Sequence, residues 1–493
     1  MDSILNKSTE RQRQLILFIA RNYEWTSAQD LADYLGCNIK TVRQDINYLE
    51  ENYSDIVAVE YSKQLGYKFY TMDGRNVLEI YLSWIQESLF FSILSDCFFG
   101  KNTSLDYFYD TYFISETTLK RQMSLINRTL KKLGISVSSS TGKLKVKDER
   151  ILRFFYALFS IEKRSIYEWT DIDMAQKQLF DIIDRCEHYF DIALSIIQKN
   201  IFSFFIYISV TRSSQNHFLE TETTVPSEFE QEVSHALKTL KHESTFDVFL
   251  TEEAQYRDSL QFIYLLFSEL AHNYHSKEVE ELTTQFVSSI SNKMKVEENV
   301  LDYQGIKKEL AYVSFMNQAY PHQINLVSLR SELNAKSIKM QYPIFYDVVS
   351  QSLKELEKTN PWLHFYEFLL ISRVFRYWDY RAFESLTKIR PVSMVISTTL
   401  EKNHAEILHY ILKQTFQTKI DIVGLEYEKT LFNSKETMDS LKKVDIVITN
   451  HLFYHELDNV IIVDDVIEGY RLEMIKRSID RILVSNTEQG LEE

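Results

Sequence analysis

Residues 37–49 read CNIKTVRQDINYL and combine a helical apolar repeat with side chains suited to nucleic acid. Val42, Ile46 and Leu49 are spaced by four and three residues, which places them on one buried face of a helix. The other faces carry side-chain types that reach phosphates and base edges in a major groove. These candidate contacts are Lys40, Thr41, Arg43, Gln44 and Asn47. We therefore interpret residues 38–52 as a recognition helix for duplex DNA.

The segments around this helix predict a winged helix-turn-helix over residues 1–72. A first amphipathic helix is expected over residues 11–22, and residues 26–29 have the spacing of a capping box that begins a second helix. Gly36 can adopt the left-handed conformation that ends this second helix, and Asn38 is a good N-cap for the recognition helix. A hairpin around Gly66 follows as the wing. This wing carries Lys63, Tyr67 and Lys68, and its two lysines are candidate DNA contacts.

A second, more basic module follows in residues 115–150, which carry nine basic and three acidic side chains. A helix over residues 115–133, capped by Ser115, would bury the series Leu119, Met123, Ile126, Leu130 and Leu133. Its other faces carry the candidate DNA contacts Thr117, Thr118, Lys120, Arg121, Ser124, Asn127, Arg128 and Lys131. Two strands around Gly142 then place on one side Lys143, Lys145 and Lys147. With a long aromatic helix over residues 77–99, this pattern predicts a second winged helix-turn-helix over residues 73–150.

Each module has a simpler alternative explanation. The charges of the first helix could be an ordinary solvated face, but that would not explain the glycine turn before it or the hairpin after it. The second module could be a charged helical hairpin that supports the first.

The charge distribution favours DNA binding by the front of the chain. Residues 1–150 hold 19 basic and 19 acidic side chains, so the net charge of −15 lies entirely in residues 151–493.

The remainder of the chain predicts three further domains. No glycine occurs between Gly142 and Gly305, and apolar spacings of three and four predict an all-α domain over residues 151–278. Its helices are expected at residues 149–162, 173–189, 193–211, 228–241 and 252–273. A second all-α domain of similar size is expected over residues 279–388. After Pro391, short β-branched runs alternate with helical patterns, which predicts an α/β domain over residues 389–493.

Enzyme chemistry is not expected from this sequence. It contains no glycine-rich phosphate loop and no HExxH, CxxC or GxSxG motif, and its three cysteines have no metal-binding spacing. The pair His451 and His455 has a helical spacing but lacks further ligands, so no metal or other cofactor is expected. The longest apolar run covers residues 201–210, about half the ~20 residues of a membrane-spanning helix. We expect a soluble, cytoplasmic, non-enzymatic protein.

The order of these parts resembles the Mga/AtxA-type virulence regulators of Gram-positive bacteria. The resemblance rests on LADYLGCNIKTVRQDINYL, on SETTLKRQMSLINRTLKKLG, on the two helical blocks and on the βα tail. It implies two N-terminal helix-turn-helix domains, two phosphotransferase-regulation domains (PRDs) and a C-terminal domain like the B component of a sugar phosphotransferase (EIIB-like). It also implies a global transcriptional regulator, often an activator, that oligomerises and is tuned by histidine phosphorylation.

Two positions depart from the family pattern. Phe205 occupies the place, seven residues before Arg212, where a PRD carries a histidine, so the candidate phosphorylation sites are His217, His272 and His322. The tail reads SMVISTTLEKNH at residues 393–404 and lacks the nucleophilic cysteine of an EIIB domain. We therefore expect this domain to serve self-association, with a merely stabilising cap as the alternative.

The expected partners are double-stranded DNA, a second copy of the chain, a phosphotransferase phosphocarrier protein and RNA polymerase, but no membrane. Two other functions stay open at this point. PRDs also occur in RNA-binding antiterminators, and the chain could instead be an adaptor that binds a phosphotransferase protein without contacting nucleic acid.

Overall fold

The computed structural model describes residues 7–19, 25–99, 104–138, 140–164, 174–220, 223–243, 245, 247–320, 329–379, 391–427, 441–451 and 458–490. The chain divides into two compact units, one formed by Met1–Glu280 with Lys307–Leu333 and the other by Glu281–Ile306 with Asn334–Glu493. The structure is mainly helical and has a small parallel sheet near the C-terminus, which confirms the expected fold class at that level.

The first winged helix-turn-helix has the predicted order of elements. They are α1 (Lys7–Ile19), α2 (Ala28–Leu35), α3 (Ile39–Tyr53), β1 (Val57–Ser62) and β2 (Gly66–Thr71). Ser27 caps α2 by accepting a hydrogen bond from the Asp30 backbone N–H at 3.1 Å, one residue after the cap expected from the sequence. Gly36 ends α2 with φ +62°, as predicted.

The second winged helix-turn-helix begins with two helices where the sequence predicted one. The helix expected over residues 77–99 is divided at Ser88, which is extended with ψ 121°. The elements are α4 (Leu78–Glu87), α5 (Leu89–Phe99), α6 (Leu105–Tyr112), α7 (Glu116–Leu130), β3 (Ile135–Val137) and β4 (Leu144–Val146). A turn of 3₁₀ helix over Lys131–Leu133 extends α7 to the point where Gly134, at φ +68°, ends it.

An all-α bundle follows in the first unit, and its five helices match the predicted ones with small shifts of their ends. They are α8 (Glu149–Arg164), α9 (Gln176–Phe190), α10 (Ile196–Ser214), α11 (Ser227–Lys238) and α12 (Glu253–Tyr274). Helix α8 packs on α4 and α5 of the second module. The Tyr156 ring lies 3.8 Å from that of Phe98, and the Tyr156 hydroxyl donates to the Leu94 carbonyl at 2.8 Å. The domain boundary expected at residue 150 therefore runs through a core that the second module shares with the helical bundle.

The next helices are α13 (Lys277–Met294) and α14 (Tyr303–Ala319), followed by α15 (Leu329–Gln341), α16 (Pro343–Glu357) and α17 (Glu367–Val374). The C-terminal elements are β5 (Val392–Ser397), α18 (Lys402–Phe416), β6 (Ile420–Glu426), β7 (Ile446–Thr449), β8 (Val460–Ile462) and α19 (Gly469–Gly490). The four strands are parallel in the order β6-β5-β7-β8, which agrees with the predicted βαβ pattern.

Candidate nucleic-acid interface

Helix α3 presents the predicted division between a buried apolar face and a solvent-exposed polar face. Val42, Ile46 and Leu49 are fully buried, and the Asn38 side chain caps the helix by accepting from the Thr41 N–H at 2.9 Å. The exposed side chains are Lys40, Arg43, Gln44 and Asn47. Thr41 is half-buried, and its hydroxyl also donates to the Asn38 side chain at 3.1 Å. A row of donors on this helix is thus free to approach a groove.

The orientation of α3 depends on Asp45, a buried carboxylate that we did not single out in the sequence. Arg11 on α1 donates to it from Nε at 2.5 Å and from Nη2 at 3.0 Å, and Gln12 donates from Nε2 at 3.2 Å. The hydrogen bond to Asp45 raises the pKa of Arg11. Asp45 lies three residues after buried Val42 and four before buried Leu49. Residues at these spacings share one face of a helix, so the sequence alone could have indicated that Asp45 is buried.

The first wing presents its two lysines to different degrees. Lys63 is exposed and Lys68 is half-buried, with its ammonium 5.0 Å from the centre of the Tyr70 ring. Tyr67 lies in the wing, as predicted, but its side chain is buried. Its backbone pairs with Thr26 through two bonds of 2.8 Å, and its ring packs against Tyr61. The start of β2, the second strand of the wing, is therefore tied to the residues that precede α2.

Gly66 makes that pairing possible. It has φ +94°, and a Cβ at this position would lie 2.1 Å from the carbonyl oxygen of Thr26. Any side chain at this position would therefore push the start of β2 away from Thr26.

Helix α7, like α3, has a buried apolar face and a solvent-exposed polar face. The predicted apolar series Leu119, Met123, Ile126, Leu130 and Leu133 is buried. The exposed candidates are Thr117, Lys120, Arg121, Ser124, Arg128 and Lys131. Ser115 accepts from the Thr118 N–H at 3.2 Å, and half-buried Thr118 keeps its hydroxyl 3.0 Å from that of Ser115. Lys120 forms an exposed ion pair with Glu116 one turn earlier, at 2.5 Å, which a phosphate could replace.

Asn127 does not fit its predicted role as a base or phosphate contact. Its Nδ2 donates to the Val137 carbonyl at 2.9 Å, and its Oδ1 accepts from the Val137 N–H at 2.6 Å. Both ends of the amide are therefore used to hold β3 against α7. We assign Asn127 to the support of the wing and not to the DNA-facing set.

The second wing presents the predicted lysine row. Lys143, Lys145 and Lys147 are all exposed, whereas Leu144 and Val146 between them are half-buried. Residues 135–137 pair with residues 146–144 in an antiparallel register, so the alternation of a pleated strand separates the two sets.

The candidate phosphorylation sites lie in different surroundings. His217 is exposed after the end of α10 and lines a cavity of about 280 Å³ with Glu149, Arg212 and Phe218. Partial burial of the imidazole, followed by the charge of Arg212, lowers the pKa of His217. His272 is exposed on α12, and His322 lies outside the described residues. Phe205 is fully buried.

The loop after β5, where an EIIB domain would carry its cysteine, is held by hydrogen bonds. The Thr398 hydroxyl lies 2.8 Å from His404 Nδ1, and His404 Nε2 lies 2.6 Å from the Asp465 carbonyl. His451 is described but His455 is not. Among the residues that the structure describes, no group of three or more histidine, cysteine or acidic side chains could hold a metal ion.

Comparisons with known proteins agree with this geometry. Residues 73–159 match the Mga helix-turn-helix domain, and residues 11–68 match a helix-turn-helix domain family. The front of the chain is thus similar to regulators of the Mga type. The chain is 22% identical over 222 residues to a trans-acting regulator of Streptococcus pneumoniae serotype 4, an alignment that covers 45% of each protein. The predicted resemblance to this family is confirmed.

Two capsule synthesis positive regulators of Bacillus anthracis are also similar. The chain is 21% identical to AcpB over 448 residues, which cover 86% of this chain and 90% of AcpB. It is 19% identical to AcpA over 213 residues, which cover 43% and 44% of the two proteins. The alignments to AcpA and to the pneumococcal relative thus span less than half of either protein. In the described ranges, no helix is both long and apolar enough to cross a membrane.

Proposed function

We propose that this chain is a transcriptional regulator that binds duplex DNA through both winged helix-turn-helix modules. One observation carries the proposal: α3 and α7 each bury a complete apolar series and leave a row of polar and basic side chains open to solvent. Each is followed by a hairpin that bears lysines, Lys63 and Lys68 in the first and Lys143, Lys145 and Lys147 in the second. Helices of this kind read base edges while wings contact phosphates.

The distribution of charge supports docking by the front of the chain. The net charge of −15 belongs to the residues after 150, so phosphates would repel that part. Each phosphate contact releases counterions, so affinity should fall steeply with salt. Binding by several lysines at once would give the chain a strong salt dependence.

Activation is the direction of regulation that we favour. The names of two similar proteins describe positive regulators, and activation requires RNA polymerase as a partner. The helical domains are proposed as PRD-like relays that respond to a phosphocarrier protein, with His217, His272 and His322 as the candidate acceptors. No cofactor and no catalysis are proposed.

Self-association is proposed for the C-terminal α/β domain, as an EIIB-like dimerisation module. Strand β6 ends the described sheet and pairs with β5 alone. Two of its apolar side chains face solvent, Val423 at 55% and Leu425 at 38% exposure. Exposed edge strands pair readily with another chain. Val423→Lys with Leu425→Lys should lower the sedimentation coefficient, whereas Val466→Lys, at a 73% exposed site outside the sheet, should not.

The DNA-binding proposal is tested by footprinting the full-length chain on genomic fragments at two salt concentrations. Arg43→Ala combined with Lys120→Ala should abolish protection. Arg185→Ala combined with Arg257→Ala, at a half-buried site on α9 and an exposed site on α12, should leave it intact. Protection of hairpin RNA in place of duplex DNA would support the alternative that the chain is an RNA-binding antiterminator. Regulation in cells that survives the first pair of changes would support the adaptor.

A further inference from the structure

A cavity of about 280 Å³ lies between the second wing and the end of α10. Leu144 and Val146 of β4 line one side, and the other side includes Arg212, Asn216 and His217. We call the space between these residues the wing cavity. The lysines of the wing alternate with the two apolar residues along a pleated strand, so they lie on the opposite face of β4. DNA held by those lysines therefore does not fill the cavity.

Arg212 is fixed in the wall of the wing cavity. Its side chain is 5% exposed, and its Nε and Nη2 donate to the two Glu149 carboxylate oxygens at 2.7 and 2.9 Å. Its guanidinium also lies 5.4 Å from the centre of the Phe98 ring. The third nitrogen, Nη1, has no hydrogen-bond partner among the residues that the structure describes. Because the rest of the guanidinium is held in place, this nitrogen is preorganised to donate to an anion.

Two further donors beside the cavity are left over after the internal hydrogen bonds are made. Asn216 accepts from Gln255 Nε2 at 3.1 Å with its Oδ1, which leaves its Nδ2 without a partner in the described ranges. The His217 carbonyl accepts from Arg153 at 2.8 Å, whereas its imidazole makes no hydrogen bond within those ranges. Partial burial, and then the charge of Arg212, lower the pKa of His217, and the second effect requires the two side chains to be near each other.

The carboxylates at this junction do not cancel the donors. Glu149 accepts from Arg212 with both oxygens and from Arg153 at 3.5 Å. Asp258 accepts from Arg153 at 2.6 Å, so these two buried acids balance the two buried arginines. Glu220, another acid in the lining, is exposed to solvent, which screens its charge. The molecule that complements the remaining donors is rich in acceptor oxygens.

We propose that the wing cavity binds a small organic phosphate, which acts as an effector of the second wing. A phosphate group offers more acceptor oxygens than a carboxylate, so it can accept from a guanidinium, an imidazole and an amide together. The cavity volume is close to the lower limit of about 300 Å³ for small-molecule sites, so the ligand is small. A bound molecule contacts β4 on the face opposite the lysines and restricts the hairpin that carries them. The effect on DNA rests on the proposed function, whereas binding itself does not.

The test measures binding and wing order in the full-length chain. Glycerol 3-phosphate and ribose 5-phosphate are titrated by calorimetry, with succinate and sodium chloride at equal ionic strength as comparisons. At a concentration ten times its Kd, a bound phosphate compound should slow amide hydrogen exchange in β3 and β4 about tenfold, with no change in β1 and β2. The same compound should tighten DNA binding about threefold, because a restricted wing loses less freedom on the duplex.

Variants of the lining locate the site. Asn216→Gly combined with His217→Ala removes two donors, and glycine suits the φ of +61° at position 216. This double variant should bind the phosphate compound at least about tenfold more weakly. Arg212 is left in place because it holds Glu149 in the fold. His235→Ala, at an exposed site on α11, is the matched control and should bind like the wild type.

Several results would overturn the inference. Failure of the wild type to bind either phosphate compound would refute the site while leaving DNA footprints untouched. Equal binding by the double variant would place the ligand elsewhere, and equal binding of succinate would contradict the phosphate assignment. A phosphoryl group attached covalently to His217, in a chain that binds neither free compound, would make the cavity a modification site instead. Unchanged DNA affinity with ligand bound would refute the effector role, whereas a chain that binds the ligand but no duplex would refute the proposed function alone.

Discussion

Asp45 on the recognition helix α3 is buried against Arg11 on α1, with Nε of Arg11 2.5 Å from Oδ2 of Asp45. The two residues are 34 positions apart in the chain, and the carboxylate side chain is only 3% exposed. A buried carboxylate needs a cationic partner, so this pair fixes the angle at which α3 leaves the body of the module.

Arg11→Ala should destabilise the first module by about 2–3 kcal/mol, less than the loss of a fully buried pair because the Arg11 side chain is 22% exposed. The change leaves Asp45 buried with Gln12 as its remaining donor. Faster amide hydrogen exchange in α1–α3, with α7 unaffected, is the expected measurement. Lys40→Ala, at an exposed site on the same helix, should leave exchange unchanged; equal exchange in both variants would refute the structural role.

Asn127→Ala should loosen the second wing. The variant loses two hydrogen bonds to the Val137 backbone, which costs about 1–3 kcal/mol where the groups are left unsatisfied. We expect faster amide exchange in β3 and β4, whereas Ser124→Ala, at an exposed site on the same helix, changes nothing there. A loss of DNA sequence preference with normal exchange would restore Asn127 to the DNA-facing set.

Arg43→Ala and Gln44→Ala should weaken specific binding more than non-specific binding. A bidentate base contact contributes about 1–3 kcal/mol of discrimination, so the Kd for the footprinted site should rise about 5- to 150-fold. The Kd for random duplex should change far less. Glu50→Ala, exposed near the end of α3, is the control. Equal losses on both DNAs would mean that these side chains contact phosphates only.

Replacing Lys143, Lys145 and Lys147 together by alanine should flatten the salt dependence of binding. Each phosphate contact contributes about 0.9 to the slope of log K against log salt, so the slope should fall by up to about 2.7. Titrations between low and physiological salt measure it. An unchanged slope would show that the second wing does not touch DNA.

Stability should depend on pH through His217. Its pKa is lowered in the folded chain by partial burial of the imidazole and by Arg212, so the unfolded chain binds the proton more readily. The folded state is therefore penalised as pH falls below the ordinary pKa of histidine, and the penalty is absent at higher pH. Denaturation at pH 8 and pH 5.5 should show a smaller pH effect for His217→Gln than for the wild type; an equal effect would contradict this assignment.

Local sequence determined most of the elements that carry the proposed interface. The apolar series of α3 and α7, the caps Asn38 and Ser115, the turn at Gly36 and both lysine-bearing hairpins follow from side-chain periodicity and from residue-specific backbone preferences. These signals act over a few residues, so they can be recognised in the sequence without knowledge of the tertiary contacts between elements. The exposed rows of both helices follow in the same way, because burying one face leaves the other to solvent.

Tertiary structure decided the features that depend on partners distant in sequence. Asp45 is a structural residue only because Arg11 reaches it, and Tyr67 is buried only because its backbone pairs with Thr26. Asn127 supports the wing because Val137 lies opposite its amide. Polar side chains have the same identity whether they face DNA, solvent or a neighbouring strand, so residue type and spacing alone cannot distinguish these fates. The distances between elements do, and those arise only when the chain packs.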